Sequence, residues 1–354
     1  MYKVIENIDF LRPYHQLVCD ILKALRRSSR QNVTYTKLTL KNNLISINPL
    51  FSSIVNRGAF LDNIHKLKDS QVDIYKEYGS SVRRYKSILN RKWNGRSKLN
   101  HTSSKEIKNV FIFFYENLVE YKTLNEAFFQ NVNSLSNFRA IMSLNKVCPY
   151  CDINKINKDS VSVDHYLPKS TFPILSIYPD NLIVSCKACN ESIKGENYLL
   201  PIIHPYYEDV SSYFTFVIND SNEEKFEIEI KMNKDNSKLL SEKVQNFLSL
   251  FKIKERYEID MIGDLKDFRQ DIRKRAYAEL RGIARNRNIT DVDIRECTEN
   301  SYKEAIIQNE LLHRAVDGTK IKNDYINQIL QRGDFQSDID YLESQFGGIG
   351  NLFN

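Results

Sequence analysis

Two Cys-x-x-Cys pairs, Cys148/Cys151 and Cys186/Cys189, are separated by 34 residues in a 354-residue chain whose only other cysteines are Cys19 and Cys297. Six cysteines in so long a chain are too few for a disulfide scaffold. Each two-residue gap lets both sulfurs of a pair reach one ion, and four soft thiolates select tetrahedral Zn2+. The stretch between the pairs carries Pro168, Pro173 and Pro179 among closely spaced polar residues. Such a stretch lacks the apolar content for a core of its own, and a bound ion supplies the missing stability. The spacing therefore predicts a small, loop-rich unit clamped by Cys148, Cys151, Cys186 and Cys189 in the middle of the chain. Cys19 and Cys297 lie in helix-like surroundings and read as ordinary thiols.

The flanks read differently. Apolar residues recur at helical spacing in Tyr14–Leu25, Leu61–Leu89 and Ile107–Phe129, with a shorter helix expected at Leu135–Leu144. Asn42–Val55 alternates less clearly and reads as a strand or an extended loop. After the clamped unit, period-two stretches at Tyr213–Asn219 and Phe226–Met232 flank the turn-like Asp220-Ser221-Asn222, a hairpin pattern. Helical patterns follow in Ser237–Phe251, Tyr257–Asn286, Tyr302–Val316 and Tyr325–Arg332, and a glycine-bearing tail closes the chain. The expected fold is α+β and mostly helical, in three segments. Residues 1–145 form a basic helical domain, 146–205 the clamped unit, and 206–354 a β-hairpin followed by helices.

Charge separates the same segments. Residues 1–147 carry 24 Lys and Arg against 11 Asp and Glu, whereas residues 206–354 carry 22 against 28. No acidic residue occurs from Ile21 to Leu61, or between Glu77 and Glu106, where Arg83, Arg84, Lys86, Arg91, Lys92, Arg96 and Lys98 surround Tyr85 and Trp93. Such a field attracts polyanions, and aromatic rings among the cations can stack on bases. No apolar run reaches the roughly 18 residues of a membrane span, and the N-terminus lacks the apolar core of a signal peptide. Both point to a cytoplasmic protein.

Within the clamped unit, Val161 and Val163 lead into Asp164-His165 on what reads as a strand. Neighbours on an ideal strand face opposite ways, so this pair can serve one site only if the strand ends or kinks at Tyr166-Leu167-Pro168. An isolated buried Asp-His is usually structural. Its place inside a metal-clamped unit favours a functional reading.

The full set of residues resembles the HNH endonucleases of the ββα-metal fold. The resemblance rests on Cys148/Cys151, Asp164-His165, Leu167-Pro168-Lys169-Ser170, Asn181-Leu182, Cys186/Cys189-Asn190 and Lys194. It covers about 60 residues of the chain, and its spelling is most similar to HNH proteins of bacterial anti-phage defence systems, such as those accompanying Septu or retron modules. Asn190 stands where many members carry the last His of the motif, which changes a ligand without disabling the site.

The resemblance implies a central zinc-stapled unit and hydrolysis of phosphodiester bonds. His165 can take a proton from water near neutral pH. Asp164 and Asn190 offer hard oxygen ligands for a catalytic Mg2+ or Mn2+, and Asn181 is expected to brace the loop that orients His165. Lys169 and Lys194, with Arg83, Arg84, Arg91 and Lys92, are the expected phosphate contacts; His204 reads as a packed turn residue. The implied partners are nucleic acid, DNA in preference to RNA, and a defence-system ATPase or other protein. A second copy of the chain is a further candidate, because one ββα site cuts one strand at a time. The competing reading is a zinc-dependent nucleic-acid- or protein-binding module without catalysis, which has no need for Asp164, His165 and Asn190 together.

Overall fold

The computed structural model describes residues 11–30, 36–56, 60–67, 73–91, 105–116, 147–157, 160–220, 226–311 and 317–345. Lys92 and Trp93, the helix expected at Leu135–Leu144, the far half of Ile107–Phe129, Ser221-Asn222 and the glycine-bearing tail lie outside these residues.

The first segment is helical. Helix α1 (Arg12–Arg30) buries Tyr14, Leu17, Val18, Ile21, Leu22 and Leu25, the three-and-four spacing that places side chains on one face. The stretch expected to be extended folds instead as α2 (Lys37–Ile47) and a 3-10 turn, Pro49–Ser53. Local caps explain the difference. Thr36 Oγ1 accepts from the Thr39 amide at 3.2 Å, and Asn48 Oδ1 accepts from the Leu50 amide at 3.1 Å. These side chains satisfy amides that a helix start leaves open, and Leu40 and Leu44 are fully buried. The pattern over Leu61–Leu89 is broken into α3 (Phe60–His65), α4 (Ile74–Arg83) and α5 (Tyr85–Leu89). Helix α6 (Lys105–Glu116) turns Ile107, Val110, Phe111 and Phe114 inward.

The middle segment has the order strand, strand, helix. Strands β1 (Val161–His165) and β2 (Leu182–Cys186) pair antiparallel, with Asp164 opposite Ile183 and His165 opposite Leu182. A π-helical turn, Ala188–Lys194, follows β2 directly. It closes at Gly195, where φ is +51°, a left-handed conformation that suits glycine. The Gly195 amide bonds the Asn190 carbonyl at 2.8 Å.

The last segment opens with the expected hairpin. Strands β3 (Phe214–Asn219) and β4 (Glu227–Met232) pair so that Phe214, Phe216 and Ile218 share one buried face. Helices α7 (Lys238–Leu250), α8 (Ile253–Asp260), α9 (Ile262–Ala284), α10 (Asp291–Leu311), α11 (Thr319–Arg332) and α12 (Gln336–Gln345) complete it. The periodic run Tyr257–Asn286 is thus two helices, divided at Met261.

These segments share one core. A continuous cluster of buried apolar side chains runs from Leu11 to Phe335. The first cysteine knuckle is held from the C-terminal side: Tyr257 Oη donates to the Cys151 carbonyl at 2.8 Å, and the Gly318 amide donates to the Asp152 carbonyl at 2.6 Å. Tyr150 stacks on Phe251 with ring centroids 4.2 Å apart.

The C-terminal helices are tied together by a buried charge cluster. Asp338, 1% exposed, accepts from Arg269 Nε at 2.8 Å, Arg273 Nε at 2.6 Å and Tyr302 Oη at 2.9 Å. Removing one partner of such a cluster leaves buried charge without compensation. Asp338→Ala should therefore destabilise the chain by about 3–5 kcal/mol, measured as a lower urea midpoint; an unchanged midpoint would contradict the assignment.

Candidate active site

The four knuckle cysteines are all buried, and their sulfurs lie within 4.8 Å of one another. Tetrahedral Zn–S bonds of about 2.3 Å need sulfurs this close, so the cluster could hold a zinc ion. Hydrogen bonds from the neighbouring thiols hold the Cys186 thiol below its ordinary range, while burial holds Cys148 and Cys189 above theirs. Arg256 Nη1, on α8, lies 3.1 Å from Cys189 Sγ. A guanidinium there offsets the negative charge that four thiolates keep around a divalent ion.

The clamp sets the hairpin, and the hairpin sets the second site. Strand β1 ends at His165. Asp164, His165 and Asn190 line one cavity of about 290 Å³, together with Tyr115, Val163, Pro168, Lys169, Gly195 and Glu196. Adjacent strand residues reach a common space here because the strand stops at the second of them.

His165 is held in one tautomer. Its Nε2 lies 3.0 Å from the Ser176 carbonyl oxygen, which can only accept, so Nε2 carries the proton and Nδ1 keeps its lone pair. Burial, helped by the Lys169 charge, lowers its pKa to about 3, which keeps the ring neutral. The edge of Tyr115 packs against it with centroids 4.4 Å apart.

Asn181 lies outside the cavity lining and ties the loop above it. Its Nδ2 donates to the Leu167 and Leu175 carbonyls at 3.0 and 3.2 Å, and its Oδ1 accepts from the Leu167 amide at 2.8 Å and Tyr85 Oη at 3.0 Å. The loop carrying the Ser176 carbonyl is thereby fixed from both ends. Asn190 Nδ2 donates to Ser162 Oγ at 2.7 Å and to the Val163 carbonyl at 3.3 Å. That orientation makes Oδ1 its remaining donor atom for an ion.

Asp164 is 2% exposed and both of its oxygens are engaged, Oδ1 by Lys194 Nζ at 2.8 Å and Oδ2 by Tyr150 Oη at 2.7 Å. Desolvation raises its pKa, and Lys194 opposes that rise. Each carboxylate oxygen accepts more than one bond, so a cation reaching Asp164 would share it with Lys194 and Tyr150.

The expected phosphate contacts divide. Lys194 is 1% exposed, its ammonium bound to Asp164 and to the His165 carbonyl at 2.9 Å, so the structure gives it an internal partner rather than an open face. Lys169 lines the cavity, pairs with Glu116 at 2.6 Å and sits 5.5 Å from the Tyr115 ring centre. Arg83 and Arg84 are exposed on the N-terminal segment. Arg91 is exposed and pairs with Glu242 at 3.1 Å; Lys92 lies outside the described residues. His204 is fully buried among Tyr85, Tyr166 and Tyr207 and is absent from the cavity lining.

Tyr85, expected among the cations as a ring for stacking on bases, is instead 1% exposed and bonds Asn181, and sequence reasoning missed Tyr150, Tyr115 and the Ser176 carbonyl. Tyr150 had a signal, its place inside the first knuckle. The others had none, since their role comes from tertiary contact.

Two predictions follow from this geometry. Lys194→Met strands the buried Asp164 carboxylate and should cost about 3–5 kcal/mol in urea unfolding, while adding Asp164→Leu should recover most of it. Cys186→Ser should lower the zinc content of purified protein, read by elemental mass spectrometry; zinc at wild-type stoichiometry would refute the four-sulfur site.

Comparison with known proteins agrees with the geometry. Residues 148–196 match the family model of the HNH endonuclease. The chain is 34% identical over 73 residues to protein ea31 of Escherichia phage lambda, covering 19% of this chain and 23% of that protein. It is 37% identical over 100 residues to Septu protein PtuB of Bacillus thuringiensis, covering 25% of this chain and 38% of that protein. The matched stretches thus span well under half of either relative. No solved structure matches the chain significantly. The unit from Cys148 to Glu196 is an HNH endonuclease domain.

Proposed function

We propose that the chain is a metal-dependent endonuclease that hydrolyses phosphodiester bonds, in DNA rather than RNA, and acts as an effector of bacterial anti-phage defence. One observation carries the reading: an imidazole with a fixed tautomer shares a cavity with two oxygen donors inside an HNH domain. Similarity to Septu protein PtuB supports the defence setting.

In this reading Zn2+ occupies the four-cysteine cluster, and Asp164 and Asn190 hold Mg2+ or Mn2+. The divalent cation, when bound, neutralises phosphoryl charge and the leaving oxygen. The chain's own residues do the rest. His165 Nδ1 takes the proton of the attacking water while Nε2–H remains bonded to the Ser176 carbonyl, so proton transfer needs no reorientation of the ring. Asn181 keeps that carbonyl in place. Lys169 neutralises a neighbouring phosphate once it leaves Glu116. Arg83, Arg84 and Lys92 of the basic domain, residues 1–145, hold the strand by charge, which confers affinity without base selection. The acidic domain, residues 206–354, offers a surface to a defence-system ATPase or a second copy of the chain. The setting is the cytoplasm.

A zinc-dependent binder without catalysis is favoured by one feature, the engagement of both Asp164 oxygens by Lys194 and Tyr150. Plasmid cleavage separates the two. With Mg2+ or Mn2+ the wild type should nick supercoiled DNA, and His165→Ala should be slower by roughly 10² or more at unchanged zinc content. A variant that cuts as fast as wild type would remove the catalytic role of His165, and no cleavage under any divalent metal would favour the binder. Binding to duplex DNA should weaken steeply with salt; a flat response would exclude phosphate contacts as the main source of affinity.

A further inference from the structure

A second cavity, of about 360 Å³, opens in the N-terminal helical segment between α1 and α4. It shares no lining residue with the cavity around His165. Its wall combines three cationic side chains, Arg26, Lys76 and Arg83, with the rings of His15, Tyr75 and Tyr78. Its volume falls in the range of small-molecule sites, roughly 300–1,000 Å³.

The cations are unevenly satisfied. Arg26 pairs with Asp73 at 2.8 Å and lies 5.5 Å from the Tyr75 ring centre. Lys76 and Arg83 are exposed, and neither side chain makes an ion pair among the described residues. Tyr78 is 2% exposed, and its buried hydroxyl has no hydrogen-bond partner among the described residues. Buried hydroxyls nearly always find a partner, so a cavity wall containing an unpaired one is suited to a polar ligand. Two exposed cations without an ion pair among the described residues favour an anionic ligand. The half-buried Tyr75 ring adds a flat apolar surface on which a base can stack, whereas the Tyr78 ring is buried against Phe111.

We propose that this cavity binds a nucleotidyl group, its phosphate against Lys76 and Arg83 and its base against the Tyr75 ring. The group is supplied either as a free nucleotide or as a nucleotide of a nucleic-acid strand. The cavity is connected to the catalytic loop. His15 packs against Tyr178 with ring centroids 6.0 Å apart, Tyr178 against Tyr85 at 5.1 Å, and Tyr85 Oη bonds Asn181 Oδ1 at 3.0 Å.

The test is calorimetric binding to the full chain without added Mg2+, using ATP, dAMP, inorganic triphosphate and a short single-stranded oligonucleotide as probes. ATP or dAMP should bind, or the oligonucleotide alone should bind; the first result identifies a free nucleotide as the source and the second a strand. In either case Lys76→Glu with Arg83→Glu should weaken binding at least about tenfold, the loss of two charge-assisted contacts. The matched charge change Lys231→Glu with Lys234→Glu, on the C-terminal hairpin, should weaken it by less than about twofold. Tyr75→Ala should reduce the preference for ATP over inorganic triphosphate. Absence of binding by every probe, binding of triphosphate as tight as that of ATP, or undiminished binding by the Lys76/Arg83 variant would each overturn the proposal. Because the readout is binding without cleavage, failure here leaves the role of His165 standing, and an inactive His165 site leaves this pocket standing.

Discussion

Four sulfurs drawn within 4.8 Å of one another are the constraint on which the middle of this molecule rests. Buried thiols at that spacing gain little as hydrophobes and, once ionised, repel. A divalent ion turns the same arrangement into the strongest set of contacts in the unit. The clamp joins the knuckle before β1 to the knuckle that starts at the last residue of β2, so it closes the hairpin at the Val161–Cys186 end. The hairpin register then sets Asp164 and His165 at the other strand end and Asn190 directly after the second knuckle. Each later feature of the cavity inherits its position from that closure.

Much of this was readable from residue type and spacing. Patterning marks the strand at Val161–His165, while the strand–strand–helix order was implied by the resemblance to HNH endonucleases. The β3/β4 hairpin was visible because its alternation is unmixed. Asn42–Val55 was misread because its helix rests on the hydroxyl of Thr36, its following turn on the amide of Asn48, and both on packing against α1. None of these announces itself as periodicity. Breaks within long helical runs, at Arg84 and Met261, were invisible for a similar reason, since neither site carries a proline or glycine.

The cavity was legible in its chemistry and opaque in its surroundings. Spacing brings Asp164, His165 and Asn190 to mind as a group, and the structure sets them around one space. Spacing is silent on which lysine faces outward. Lys169 and Lys194 look equivalent on the page, yet one sits at the cavity mouth on Glu116 and the other is sealed beneath it on Asp164. The difference is burial. A long side chain on the inner face of the π-helical turn meets a carboxylate before it meets water, and the desolvation of both charges is offset by their attraction and by the hydrogen bonds from Tyr150 and to the His165 carbonyl.

The loop above His165 is stitched to the rest of the chain from outside the zinc-clamped stretch. Tyr85 Oη holds Asn181, the Phe111 carbonyl accepts from Ser176 Oγ at 3.1 Å, and Tyr257 Oη holds the first knuckle. A fragment cut to the borders of the HNH domain would retain every motif residue and lose these struts. The domain is therefore not a portable cassette: grafted onto another scaffold it would need foreign side chains in place of Tyr85 and Tyr257.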